Sequence, residues 1–179
     1  QRTERTREEI PFSEGTSFGE HLKSQIYLTK MDKFDRHIAK FVVGNIDDNG
    51  YLRRTAEELV DDLSFREGIT ISDAKMQDII AQVQQFDPPG VAAYDLQECL
   101  LIQLRQKEQT ASIHLATTIL TRYFDIFSRK QYTKLAQRLN ISEEQLKVAI
   151  SEITRLTPRP GNNWLGTVYD RNQSIVTPD

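Results

Sequence analysis

Asn45, Asp47, Asn49 and Gly50 stand at positions one, three, five and six of a calcium-binding loop, and apolar Leu52 stands at position eight. Position twelve, where such a loop needs a bidentate carboxylate, holds Ala56, and Arg53 and Arg54 would set positive charge beside the ion. The stretch therefore reads as a solvated turn, favoured by the local hydrogen bonding and steric tolerance of Asp, Asn and Gly. His21, His37 and His114 are dispersed, without a Cys or carboxylate at ligand spacing. No Gly-x-Ser-x-Gly elbow or Gly-x-x-x-x-Gly-Lys phosphate cradle occurs. The single cysteine, Cys99, falls on the apolar stripe of its segment and reads as a small buried hydrophobe. These residues suggest neither catalysis nor a metal or cofactor.

Two other groups remain as candidates for binding or shape. Arg129, Lys130, Lys134 and Arg138 come nearest to a basic patch. Asp87-Pro88-Pro89-Gly90 reads as a rigid corner between two helices, because proline lacks a backbone donor and biases its predecessor away from helical angles. Gly90 is expected to need a backbone angle that only glycine adopts freely.

The elements that must position them are helical. Ser17 with Glu20, Thr55 with Glu58 and Ser142 with Gln145 are capping-box pairs, and Asp32, Ser72 and Asp95 open further helices. Phe34, Ile38, Phe41 and Val42 stripe a helix over about 33–46, and Met76, Ile79, Ile80 and Val83 stripe another. The pattern predicts one helix from about Ser112 to Phe127. Over 131–156, two amphipathic stripes joined by Asn140-Ile141-Ser142 give a helix-turn-helix. Trp164, Val168, Tyr169, Ile175 and Val176 suggest a loop leading to a strand.

The predicted fold is all-α, with two small helical subdomains, the second holding the helix-turn-helix-like unit, and a short irregular or strand-like C-terminal tail. Expected bounds are a charged disordered linker over 1–16, a first subdomain over 17–105, a second over 106–161 and a tail over 162–179. The chain has 179 residues, of which 38% are apolar and 27% charged, with few Gly and Pro, so it has the material for a real core. One cysteine excludes an internal disulfide and no apolar run approaches a membrane span, which together suggest a reducing cytoplasm and no membrane partner. The absence of an initiator Met suggests a piece of a longer protein.

Charge weighs on the nucleic-acid reading. Residues 1–90 hold 12 basic against 17 acidic residues, a net of −5, and residues 91–179 hold 11 against 9, a net of +2. In DNA-binding helix-turn-helix units the second helix enters the major groove. Here it opens with Glu143 and Glu144, so it suits a protein surface better than phosphates.

Four blocks occur in order: FGEHLKSQIYL (18–28), IDDNGYL (46–52), FDPPGVAAYDLQECLLIQL (86–104) and LTPRPG (156–161). The series closely resembles the core-binding region of the RpoN-type sigma factors, the sigma-54 family of bacterial transcription initiation. The resemblance covers about residues 17–179. It implies an all-helical, non-catalytic module that grips core RNA polymerase, chiefly its β and β′ subunits. It further implies promoter DNA contacted through regions of the full-length protein not present here, with an ATP-hydrolysing activator acting on the holoenzyme. On this reading Arg129, Lys130, Lys134 and Arg138 form an electrostatic patch toward polymerase, against the alternative of a solvated helix face. Competing readings are a stand-alone helix-turn-helix DNA-binding regulator and a helical scaffold or enzyme whose site assembles only in space.

Overall fold

The computed structural model describes residues 17–162. The expected linker over 1–16 and the strand-like tail with Trp164, Val168, Tyr169, Ile175 and Val176 lie outside the described residues. Within them the chain forms α1 (Phe18–Ile26), α2 (Lys33–Gly44), α3 (Ala56–Glu67), α4 (Asp73–Val83) and α5 (Leu96–Arg105). It continues through α6 (Ala111–Arg122), α7 (Phe124–Ser128), α8 (Tyr132–Leu139) and α9 (Glu143–Thr154). The fold is all-α, as the patterning predicts. The described residues hold no strand, only an isolated parallel bridge between Tyr51 and Ala93.

The starts of these helices were written locally. Ser17, Thr55 and Ser142 each close a capping box with the residue three places on, and Asp32, Ser72 and Asp95 accept from backbone amides in the first turn. Each such cap satisfies an otherwise orphaned amide and stabilises the helix by about 1 kcal/mol.

Two apolar cores follow from the stripes. In the first, α2 packs on α1 and α4, and α4 on α3. Leu22, Ile26, Ile38, Val42, Leu59, Leu63, Met76 and Ile79 are buried there. In the second, α6 lies against α5, α7 and α9, and α8 bridges α7 and α9, with Leu104, Ile113, Ile119, Leu120, Leu135, Leu146 and Ile153 inside. Helix α5 serves both sides. It gives Leu100 and Leu104 to the second core, while its Cys99 and Ile102 join Tyr51 and Ala93 in a small cluster between the two.

One element differs from the sequence reading. The helix expected over about 112–127 is broken at Tyr123, whose backbone (φ −128°, ψ 28°) leaves the helical region, and α7 begins anew at Phe124. Periodicity is blind to this bend because Ile113, Ala116, Leu120, Tyr123 and Phe127 suit a straight stripe equally well. The bend lets short α7 pack against α6 and α8 together, a tertiary preference that local spacing does not encode.

Candidate functional site

The helix-turn-helix is built as the sequence suggests. Asn140 ends α8 in the left-handed region (φ 55°), Ser142 caps α9, and Leu135, Ala136, Leu146, Ala149 and Ile153 bury the inner faces. With those faces inward, Lys134 and Arg138 project one turn apart on the exposed side of α8. Arg129 and Lys130 lie exposed just before it, Lys130 with φ 60°. The guanidinium of Arg129 lies 3.4 Å from the Asp125 carboxylate, and since both are exposed the pair is screened by solvent and only partly offsets its charge. Among the described residues Lys130, Lys134 and Arg138 have no carboxylate within 4.0 Å, and Lys134 and Arg138 share one helix face.

Helix α9 has a different character. Glu143 and Glu144 are exposed in its first turn. Glu152 is turned inward, where it accepts from the Ser112 hydroxyl at 2.9 Å, so it does not contribute an open charge. A hollow of about 280 Å³ between α8 and α9 is lined by Tyr132, Thr133, Glu143, Leu146, Lys147 and Ile150. The unit thus presents basic side chains from its first helix and acidic ones at the start of its second, the reverse of what a phosphate-facing second helix requires.

The four sequence blocks meet in space at a joint between the two cores. At one end α1 holds the Asp-Pro-Pro-Gly corner: the Gln25 amide donates to the Asp87 carbonyl at 2.7 Å, the Asp87 N–H donates back to Gln25 Oε1 at 2.8 Å, and His21 Nε2 lies 3.1 Å from the Asp87 carboxylate. The Asp87–Pro88 peptide is cis. Gly90 has φ 92°, and a Cβ there would lie 2.8 Å from both Cys99 Sγ and Gln103 Nε2, so the corner closes onto α5 only without a side chain. From α5, Gln103 donates to the Thr157 carbonyl at 2.8 Å and accepts from the Thr157 N–H at 2.9 Å.

The turn at 46–52 completes the joint. Ala92 N–H donates to the Gly50 carbonyl, Leu52 N–H to the Ala93 carbonyl and Gly161 N–H to the Asn49 carbonyl, at 2.8–2.9 Å. The Tyr51 hydroxyl donates to the Pro158 carbonyl. Burial, then the neighbouring Cys99, pushes the Tyr51 phenol well above its ordinary range, and burial likewise raises the Cys99 thiol. Both groups are held neutral and unreactive at ordinary pH.

Sequence reasoning named the corner 87–90 but missed Gln103, Tyr51 and Thr157 as its partners. The signal was a glutamine within an otherwise apolar stripe of α5: Gln103 is 6% exposed and its amide is fully engaged. Nothing in single-sequence periodicity says that a residue at 103 meets one at 157. The turn at 45–52 is used for shape, with the Asp47 carboxylate accepting from the Asn49 and Tyr51 amides. Among the described residues, no group of three His, Cys, Asp or Glu side chains is placed to hold a metal ion, and no helix is long and apolar enough to cross a membrane.

Comparison with known proteins accords with this architecture. The family described as sigma-54 factor, core binding domain, matches residues 9–179. The RNA polymerase sigma-54 factor of Azotobacter vinelandii is 36% identical over 177 residues, covering 96% of this chain and 34% of that protein. That of Pseudomonas putida KT2440 is 35% identical over the same shares, and that of Escherichia coli K12 is 32% identical over 160 residues, covering 87% of this chain and 33% of its own. The chain thus spans about a third of the length of the curated relatives it matches.

Proposed function

Because this chain belongs to the sigma-54 factor family, matching its core binding domain, we propose that it is the part of a sigma factor that grips core RNA polymerase. Its partners are the β and β′ subunits. Promoter DNA is reached through other regions of the full protein, and an ATP-hydrolysing activator acts on the assembled holoenzyme. The module performs no catalysis of its own and works in the cytoplasm. It has two helical subdomains, 17–105 and 106–161, whose relative placement is fixed by the corner at Asp87, Pro88, Pro89 and Gly90 with Gln103 and Tyr51.

The observation that carries this reading is the charge layout of the helix-turn-helix. Lys134 and Arg138 stand on the open face of α8, with Arg129 and Lys130 just before it, while α9 opens with exposed Glu143 and Glu144. Such a surface steers a protein partner of complementary charge and sets partner choice and on-rate, whereas it offers a DNA groove carboxylates where phosphates come closest. A regulator reading DNA on its own would need the opposite arrangement.

The test is charge reversal. Lys134→Glu with Arg138→Glu is expected to weaken binding to purified core polymerase at least several-fold and to flatten its salt dependence, since surface charge pairs are screened over about 10 Å at 0.1 M salt. Wild-type affinity in the double variant would remove the patch from the interface.

A further inference from the structure

Next to the Asp87 corner, α1 runs out into a surface of exposed apolar and basic side chains. Tyr27 and Leu28 follow its last turn and are 54% and 84% exposed. Beside Leu28 is a hollow of about 390 Å³ lined by Gln25, Leu28, Thr29, Gln82, Gln85 and Phe86, with no charged side chain in its wall. Cations frame it. The Arg36 guanidinium lies 5.6 Å and the Lys40 ammonium 5.0 Å from the Tyr27 ring centre, and Arg36 also donates to the Thr29 carbonyl at 3.4 Å. Lys23 and Lys30 are exposed on the adjoining backbone. Among the described residues, Lys23, Lys30 and Lys40 have no carboxylate within 4.0 Å. The acid of the adjoining corner, Asp87, has its carboxylate 3.1 Å from His21 Nε2, while Gln25 holds its backbone.

The geometry points to a second docking surface, in which the Leu28 hollow takes an apolar side chain and Lys23, Lys30, Arg36 and Lys40 take the carboxylates flanking it on an acidic segment of core RNA polymerase. This rests on the polymerase reading above. Three features select that occupant. A single-stranded nucleic acid would stack bases on the aromatic, but the Tyr27 ring already carries two cations. Phosphates gain nothing from Leu28 or from an uncharged hollow, whereas a protein anchor buries apolar area there while rim charges complete the match. A second copy of this chain docking through the same patch would set like charges against each other.

The surface lies in the first helical unit and Lys134 and Arg138 in the second, so together they make a two-point grip whose span the joint at Gly90, Gln103 and Gly161 fixes. Two weak contacts held at a set separation act with a high effective concentration, which gives the joint a role in affinity.

Leu28→Cys tests it directly, because Cys99, the chain's only native cysteine, is buried and the new thiol is selectively reactive. Core polymerase is expected to slow alkylation of that thiol by about tenfold or more in the complex, in keeping with loss of solvent access at an anchor site. Leu28→Asp, and separately Lys30→Glu with Lys40→Glu, should each weaken core binding at least several-fold without moving the melting temperature, the charge variant also losing salt dependence. Binding by the wild-type chain with an unprotected thiol and unaffected variants overturns this inference and leaves the polymerase reading standing. A wild-type chain that does not bind core polymerase overturns both, and protection of the thiol by duplex DNA instead would assign the surface to nucleic acid.

Discussion

Gly161 lies directly on Asn49: its N–H donates to the Asn49 carbonyl at 2.9 Å, and a Cβ built on it would stand 2.0 Å from the Asp48 carbonyl oxygen. The end of the second helical unit is thereby pressed, backbone to backbone, onto a turn of the first. Gly50, on the other side of the contact, would bring a Cβ to 2.9 Å from the Gly161 nitrogen. Neither obstacle is the flexible end of a side chain, so neither can move aside without shifting the main chain.

Gly161→Ala is therefore expected to destabilise the chain by about 1–3 kcal/mol through overpacking against backbone. Thermal unfolding followed by circular dichroism checks this. An unchanged melting temperature would mean that the two units separate at this contact at no cost.

Gly90→Val should be at least as damaging, since it adds a branched side chain at φ 92° and drives it into Cys99 and Gln103. Gly90→Ala should fall between wild type and the valine variant. Equal stability of all three would remove the corner from the account.

Gln103→Leu keeps the volume of a buried side chain but removes both hydrogen bonds that the Gln103 amide makes with Thr157. A lost intramolecular hydrogen bond costs about 0.5–1.5 kcal/mol net, so the urea midpoint should fall. Gln103→Glu should be restored in part at low pH, where the protonated acid can again donate to the Thr157 carbonyl.

The buried phenol and thiol give the joint a pH dependence of definite sign. Both Tyr51 and Cys99 have folded-state pKa values raised by burial, so the folded state binds their protons more tightly than the unfolded state does. Their contribution to stability is full below the unfolded pKa values, about 8.5 for Cys and 10 for Tyr, and is lost as pH rises toward the folded ones. The urea midpoint is expected to hold to about pH 8 and decline above it. Tyr51→Phe should decline less steeply between pH 9 and 11, although it starts lower for want of the Pro158 hydrogen bond.

Much of this fold was legible because its rules are local. A hydroxyl or carboxylate followed three places on by Glu or Gln marked where α1, α3 and α9 begin, and stripes such as Ile38 and Val42 marked which faces turn inward. The break at Tyr123 was not legible, because the stripe it interrupts fits a straight helix. Of the joint, the corner at 87–90 could be read from proline chemistry, but the pairing of Gln103 with Thr157 and of Gly161 with Asn49 joins positions 54 and more than 100 residues apart. Such contacts follow from how two cores stack, which no window of one sequence contains. Lys40 over Tyr27 depends likewise on how α2 packs against the end of α1, which the stripes alone do not specify.

Whether this chain is a protein-docking module is decided by titration against purified core RNA polymerase at two salt concentrations, with a random DNA duplex as the parallel ligand. Saturable, salt-sensitive binding to the polymerase is expected, with no comparable binding to the duplex. Tight duplex binding with none to the polymerase would contradict it.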